Sequence, residues 1–196
     1  MKLKSLALLT MSLALTSMTF AQGLHLGIKA GANIFKVDGA AIKDEFRFGY
    51  NAGAFAEVNF NDKIGIQPEL LFNQTNYRTG TDFSNVYQIN NANDVKGKLN
   101  YLSIPILLNY NLAKFFTLQA GPQYGILLNK SETLVQNGKD AFKNGDFSLL
   151  GGVQLNLGSL KVGGRYVVGL SNINDIDDKN KWKNQGFQVW LGFRII

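Results

Sequence analysis

Histidine is the side chain best suited to base chemistry near neutral pH, and this chain has one, His25. Nucleophilic catalysis needs a Ser or Cys beside such a base and a third group to orient it. Cysteine is absent, and no plausible triad accompanies His25, so it reads as a structural residue and no catalytic residue is assigned. The run Asn172 to Asp178 carries carboxylates and amides, the hard oxygen ligands calcium prefers. It lacks the glycine and the terminal glutamate of a calcium loop and reads as a solvated loop, with no metal and no cofactor expected. The remaining chemistry lies in charges that recur on alternate positions of otherwise apolar segments. These are Lys29, Arg47, Lys161, Arg165 and Arg194, opposed by Glu57 and Glu69.

The elements that hold those charges have a period of two. Leu24, Leu26, Ile28, Ala30, Ala32 and Ile34 share one parity, with His25, Gly27, Lys29, Gly31 and Asn33 on the other. The pattern recurs over 47–60, where only Phe55 breaks it, and over 64–77, 99–112, 115–129, 147–157 and 160–170. It returns from Phe187 to the last residue. Tight turns at Asn61-Asp62, Ala113-Lys114 and Gly158-Ser159 alternate with long polar loops near 36–46, 78–97, 130–145 and 172–184. Eight strands of about ten residues, joined alternately by short and long connections, predict an all-β fold. The expected form is an eight-stranded antiparallel up-and-down transmembrane β-barrel with both chain ends on the side of the short turns, the periplasm.

The first residues agree with export. Lys2 and Lys4 precede an apolar run from Leu6 to Phe20, and Thr19 and Ala21 are small. That pattern predicts a signal peptide over 1–21, cleaved after Ala21, and a barrel domain over 22–196. Losing both lysines lowers the formal charge from +6 to +4, too mild and dispersed to suggest a nucleic-acid partner. Without cysteine the processed chain has neither disulfides nor a lipidated N-terminus. Beyond the leader no stretch approaches the roughly 20 apolar residues of a membrane-spanning helix. The mean hydropathy of -0.04 does not argue against a barrel, in which only alternate residues meet lipid.

A soluble barrel would bury the apolar parity, so the composition of the other face decides the orientation. That face is rich in glycine, including Gly27, Gly31, Gly53, Gly121 and Gly163, as a crowded interior requires. The apolar face then meets lipid, and its aromatics should gather at two interfaces. Phe48, Tyr50, Phe72, Phe147 and Phe187 fall near the loop end, and Phe60, Tyr110, Phe116 and Phe193 near the turn end. Tyr124 and Tyr166 fit neither group cleanly. Pro68, Pro105 and Pro122 lie within strands although proline cannot donate to the ladder, so bulges or strand ends are expected there.

The segment Tyr101-Leu-Ser-Ile-Pro-Ile-Leu-Leu-Asn-Tyr110 resembles the YLxIPLLxxY motif of the PorT-like outer-membrane β-barrel family, with Pro105 at the family's proline. Ala120 to Gly125 is similar to its GPxY segment. Arg165-Tyr166 followed by Gly169-Leu-Ser-Asn-Ile173 is similar to its RYxxGLxNI segment. The resemblance spans essentially the whole processed chain and implies an eight-stranded outer-membrane barrel. Some relatives assist secretion or maturation of surface proteins.

The expected function is that of a small non-catalytic barrel of the cell outer membrane that stabilises the envelope or presents its external loops to partners. Lipid and the barrel-insertion machinery are its expected contacts, with an unidentified ligand or protein at the loops. Inside, Glu57 and Glu69 are expected to meet the cations, because charges in a narrow lumen must pair or stay hydrated. Two alternatives remain open: a narrow channel or small-anion carrier through the basic lumen, and an accessory factor in secretion. A barrel of this size is filled by its own side chains, so general porin activity is not expected.

Overall fold

The computed structural model describes residues 23–87, 91, 93–130, 145–174, 176 and 180–196. The expected leader, the 131–144 connection and Asp175, Asp177 and Asp178 lie outside the described residues. The strands are β1 (Leu24–Asp38), β2 (Arg47–Asn59), β3 (Ile64–Arg78), β4 (Lys96–Ala113), β5 (Phe116–Lys130), β6 (Gly145–Leu157), β7 (Leu160–Gly169) and β8 (Lys183–Arg194). Each pairs antiparallel with its neighbours in sequence, and β8 closes on β1, from Gly27 opposite Arg194 to Asp38 opposite Lys183. Closure removes the sheet edges, so every strand finds two backbone partners without help from solvent. No described helix is long and apolar enough to cross a membrane.

Alternation survives along every strand because a slip of one residue would exchange the two faces of the wall. Leu26, Ile28, Ile106, Leu108, Leu149, Val153 and Leu191 point outward and are exposed. Lys29, Asn33, Glu57, Gln67, Glu69, Gln119, Gln154 and Gln188 point inward and are buried. Aromatics ring the outer surface near both ends. Phe48, Ile34, Phe187 and Tyr166 lie on one row of cross-strand partners, and Tyr124 stands opposite Phe147. Tyr124 and Tyr166 therefore belong with the loop-end aromatics. Tyr50 stacks on Phe72 at 5.8 Å, and Tyr166 meets Phe187 edge-on at 4.7 Å.

Three expectations need correction. The strands run from 10 residues in β7 to 18 in β4, and most exceed the expected length at their loop ends. The prolines bring no bulge. Pro68 faces Ile106 and Pro105 faces Gln123, and the register is unchanged on either side of each proline, Pro122 opposite Leu149 included. The irregularities fall elsewhere, between Asn100 and Tyr101 and between Asn111 and Ala113. One missing donor costs about one rung, whereas a shift would turn lipid-facing residues inward, so the register holds. The third difference is a short helix α1 (Phe83–Tyr87) in the β3–β4 connection, which strand patterning alone did not predict.

The inward face also holds more apolar residues than the alternation indicated. Phe55, Leu71, Leu107, Leu150, Val167 and Trp190 point into the lumen. Phe55 lies against Gly27, where an added Cβ would stand 2.3 Å from its ring, and Trp190 covers Gly163 at 2.2 Å. Those glycines leave room for a ring lying against the wall.

Candidate functional site

Inside the barrel, alternate residues of all eight strands build one hydrogen-bonded network. Its centre is Glu69 of β3, which accepts from Lys29 Nζ at 2.8 Å and from Arg165 NH1 at 2.9 Å, with all three side chains essentially inaccessible. Lys29 also lies 3.6 Å from the centroid of the Trp190 ring. Arg165 Nε donates to Gln188 Oε1, and the Gln188 amide donates to Asn33 and Asn73 at 3.0 Å. Towards the turn end, Gln67 donates to Glu69 at 2.7 Å and accepts from Asn109 and Gln119. Gln119 donates to Gln154, which donates to Glu57 at 3.0 Å. A second ion pair follows, Lys161 to Glu57 at 3.1 Å. Asn156, Thr117 and Asn111 complete the chain to the turn end.

Buried charges persist only when paired and hydrogen-bonded, and here each carboxylate has both. The result is a polar plug. Beside it Phe35, Leu107, Leu150 and Val167 form a small apolar cluster. At the turn end an open vestibule of about 1370 Å³ is lined by His25, Glu57, Asn109, Asn156, Lys161 and Arg194, among others.

A separate apolar cap covers the loop end. Val37, Ile42, Tyr77, Phe83, Tyr87, Leu99, Tyr101, Ile173 and Trp182 form one buried cluster. The rings of Phe83, Tyr87 and Trp182 lie within 4.8–5.9 Å of one another, and Trp182 Nε1 donates to the Tyr87 hydroxyl at 3.0 Å. Asn172 Oδ1 accepts from the Trp182 and Asn174 backbone amides, and the Asn174 side chain bonds Asn180 and Ile176. The described amides of the acidic run are thus committed to shaping the loop. Asp94 joins Lys43 at 2.6 Å and Arg78 at 3.3 Å across two connections. The Lys43 ammonium holds its carboxyl below the usual range.

Of the charges singled out in the sequence, Lys29, Glu69 and Arg165 come together, as do Glu57 and Lys161. Two do not join them. Arg47 begins β2 at the loop-end rim and binds Glu45, outside the plug, because the wall is already opening at that height. Arg194 ends β8 at the vestibule, too near the turn end to reach Glu69. Sequence reasoning passed over the amides Gln67, Gln119, Gln154 and Gln188, which carry most of the network. Their shared parity with Glu57 and Glu69 was the available signal. Beneath the cap Ser148 donates to Asp146 at 3.3 Å, but His25 lies at the opposite end. Among the described residues no histidine–nucleophile relay and no cluster of metal-ligating groups is assembled.

A closed barrel with an apolar exterior and a charged, hydrogen-bonded interior is what a lipid environment selects. The family model described as outer membrane protein beta-barrel domain matches residues 20–175. The chain belongs to this family. Its apolar exterior therefore faces the lipid of the outer membrane. Among solved structures, Ail, the attachment invasion locus protein of Yersinia pestis, in complex with the heparin analogue sucrose octasulfate, is 14% identical. The match covers 88% of this chain and 98% of that one, at a TM-score of 0.49. Neisserial surface protein A is 11% identical over 88% of this chain and 97% of its own, at 0.49. AlkL in lipid bilayers is 11% identical over 86% and 90%, at 0.47. The comparison with curated proteins found no match.

Proposed function

We propose that this protein is a non-conducting, non-catalytic barrel that carries a packed loop cap on the outer surface of the cell and presents it to partners, with both chain ends in the periplasm. One observation carries the reading: the plug ties all eight strands together through Glu69, Glu57 and the lumen amides, leaving the loops as the surface free to vary. A rigid filled stem suits a display scaffold better than a path for solutes. Cleavage after Ala21 would release it for insertion.

Planar-bilayer recordings test the plug, and steady large conductance from the intact protein would overturn it. Protease added to whole cells tests the orientation. Cuts confined to the long connections are expected, and cuts at the short turns would reverse it. The vestibule with Lys161 and Arg194 favours a second reading, a small-anion carrier, which predicts the loss of uptake of one solute on gene deletion. The PorT-like motifs support a third, a secretion accessory, which predicts a depleted surface proteome in the same deletion strain. Altered adhesion or envelope leakiness without either change supports the display reading.

A further inference from the structure

We propose that the outward side of a fork between β2 and β3 seats an anionic lipid, with its phosphorylated headgroup on Lys96 and Lys98 and its acyl chain on the aromatics below. The β2–β3 register runs from Asn59 opposite Gly65 to Asn51 opposite Asn73 and goes no further. Beyond that rung β2 stays with β1 up to Arg47, and β3 stays with β4 up to Arg78 opposite Lys96. Side-chain amides bridge the seam where the ladder has ended. Asn33 Nδ2 donates from inside to Tyr50 O at 3.0 Å and to Gln74 O at 3.1 Å, and Asn76 Nδ2 donates to Phe48 O. In the fork lies a cavity of about 430 Å³, bordered by Phe46, Arg47 and Phe48 on one side and Asn76, Lys96 and Lys98 on the other.

The charges in this groove are unevenly matched. Glu45 is bound by Arg47, and Asp94 is taken by Lys43 and Arg78. Lys96 and Lys98 are exposed, on the outward parity of β4, with no carboxylate partner among the described residues. Alternate residues of a strand place their side chains about 7 Å apart on one face, close enough for two ammonium groups to hold one phosphorylated headgroup.

Height selects lipid over a soluble anion. Lys98 is the register partner of Asn76, four residues above the Leu102–Phe72 pair. At roughly 3.3 Å per residue and a tilt of about 40°, that is about 10 Å above the Tyr50–Phe72 stack, where headgroups lie relative to interfacial aromatics. Phe48, 72% exposed, hangs beside the groove at the same level. A groove that opens sideways onto the lipid-facing wall, cationic above and aromatic below, matches the two ends of a phospholipid or phosphoglycolipid.

The test is native mass spectrometry of the full barrel in neutral detergent, titrated with bisphosphorylated lipid A or with phosphatidylcholine. Heat-modifiable gel migration verifies the folding of each variant. Lipid A should bind preferentially, about fivefold more weakly in Lys98→Gln and about thirtyfold more weakly in Lys96→Gln/Lys98→Gln. Lys63→Gln/Lys114→Gln, at the opposite end, should leave binding unchanged. Equal retention of phosphatidylcholine, an unaffected K96Q/K98Q variant, or an equal loss in the turn-end control would each overturn the proposal. Displacement of lipid A by equimolar inorganic phosphate would also overturn it, marking a soluble-anion pocket instead.

Discussion

The two halves of the interior are filled by different chemistry. Above the turn-end vestibule the filling is largely polar, with rings such as Phe55 and Trp190 lying against the wall, and comes from the strands themselves, with Glu69, Lys29 and Arg165 at its centre. At the loop end it is apolar and comes largely from the connections, with Phe83, Tyr87 and Trp182 packed over the mouth. The polar plug is directional and loses most when a buried charge is left without its partner, whereas the cap relies on burial and can relax around a loss. The first should therefore behave as part of the barrel and the second as a lid resting on it.

Removing the centre of the plug should break this comparison most severely. Glu69→Ala leaves Lys29 and Arg165 buried without their carboxylate and should lower stability by about 3–5 kcal/mol, read from urea unfolding in lipid vesicles. A loss below about 1 kcal/mol would mean that water replaces the carboxylate and the plug is loose. Trp182→Ala should cost about 3 kcal/mol of packing in the cap, at the lower end for a tryptophan because neighbours at an open mouth can settle inward. Its sharper consequence is functional silence. Hydrogen exchange should rise in 83–87 while planar bilayers stay non-conducting, since the plug beneath is untouched. Conductance in that variant would show that the cap, not the plug, seals the lumen.

Smaller changes separate the seam from both fillings. Asn76→Ala removes the amide that donates to Phe48 O across the seam and should cost about 0.5–1.5 kcal/mol, with exchange protection lost at the loop ends of β2 and β3. Protection lost equally at the turn ends would tie the seam to the whole plug. Acidification of the Asp94 pairs at the loop end should act least. Asp94 has a depressed folded pKa, so its contribution is complete above its ordinary value of 3.8 and is lost as the pH falls through the lower folded value. Asp94→Asn should abolish that acid-dependent rise in exchange near residues 43 and 78, with the barrel's unfolding midpoint unchanged.

Legibility in the sequence followed the same division. Strand number, the short and long connections and the outward face were readable because a wall with two solvents imposes a strict period of two. The charges Lys29, Glu57, Glu69, Lys161 and Arg165 were readable as inward for that reason, although their partners were not. Arg47 was misplaced because parity says nothing about height, and at its level the β2–β3 ladder has ended and Glu45 captures the guanidinium at the open seam. Phe55 looked like an error in the pattern until Gly27 was seen to make room for it.

The order of residues along the chain determined, by itself, a membrane barrel and the direction each strand residue points, since facing is a local property of extended backbone. Only the closed structure decided which inward residues meet. Pairings such as Glu57 with Lys161 or Glu69 with Arg165 join positions about 100 apart. They depend on the stagger with which the sheet closes on itself, and no local pattern encodes that stagger. The same holds for the cap, where burial draws together rings from separate connections that share no periodicity.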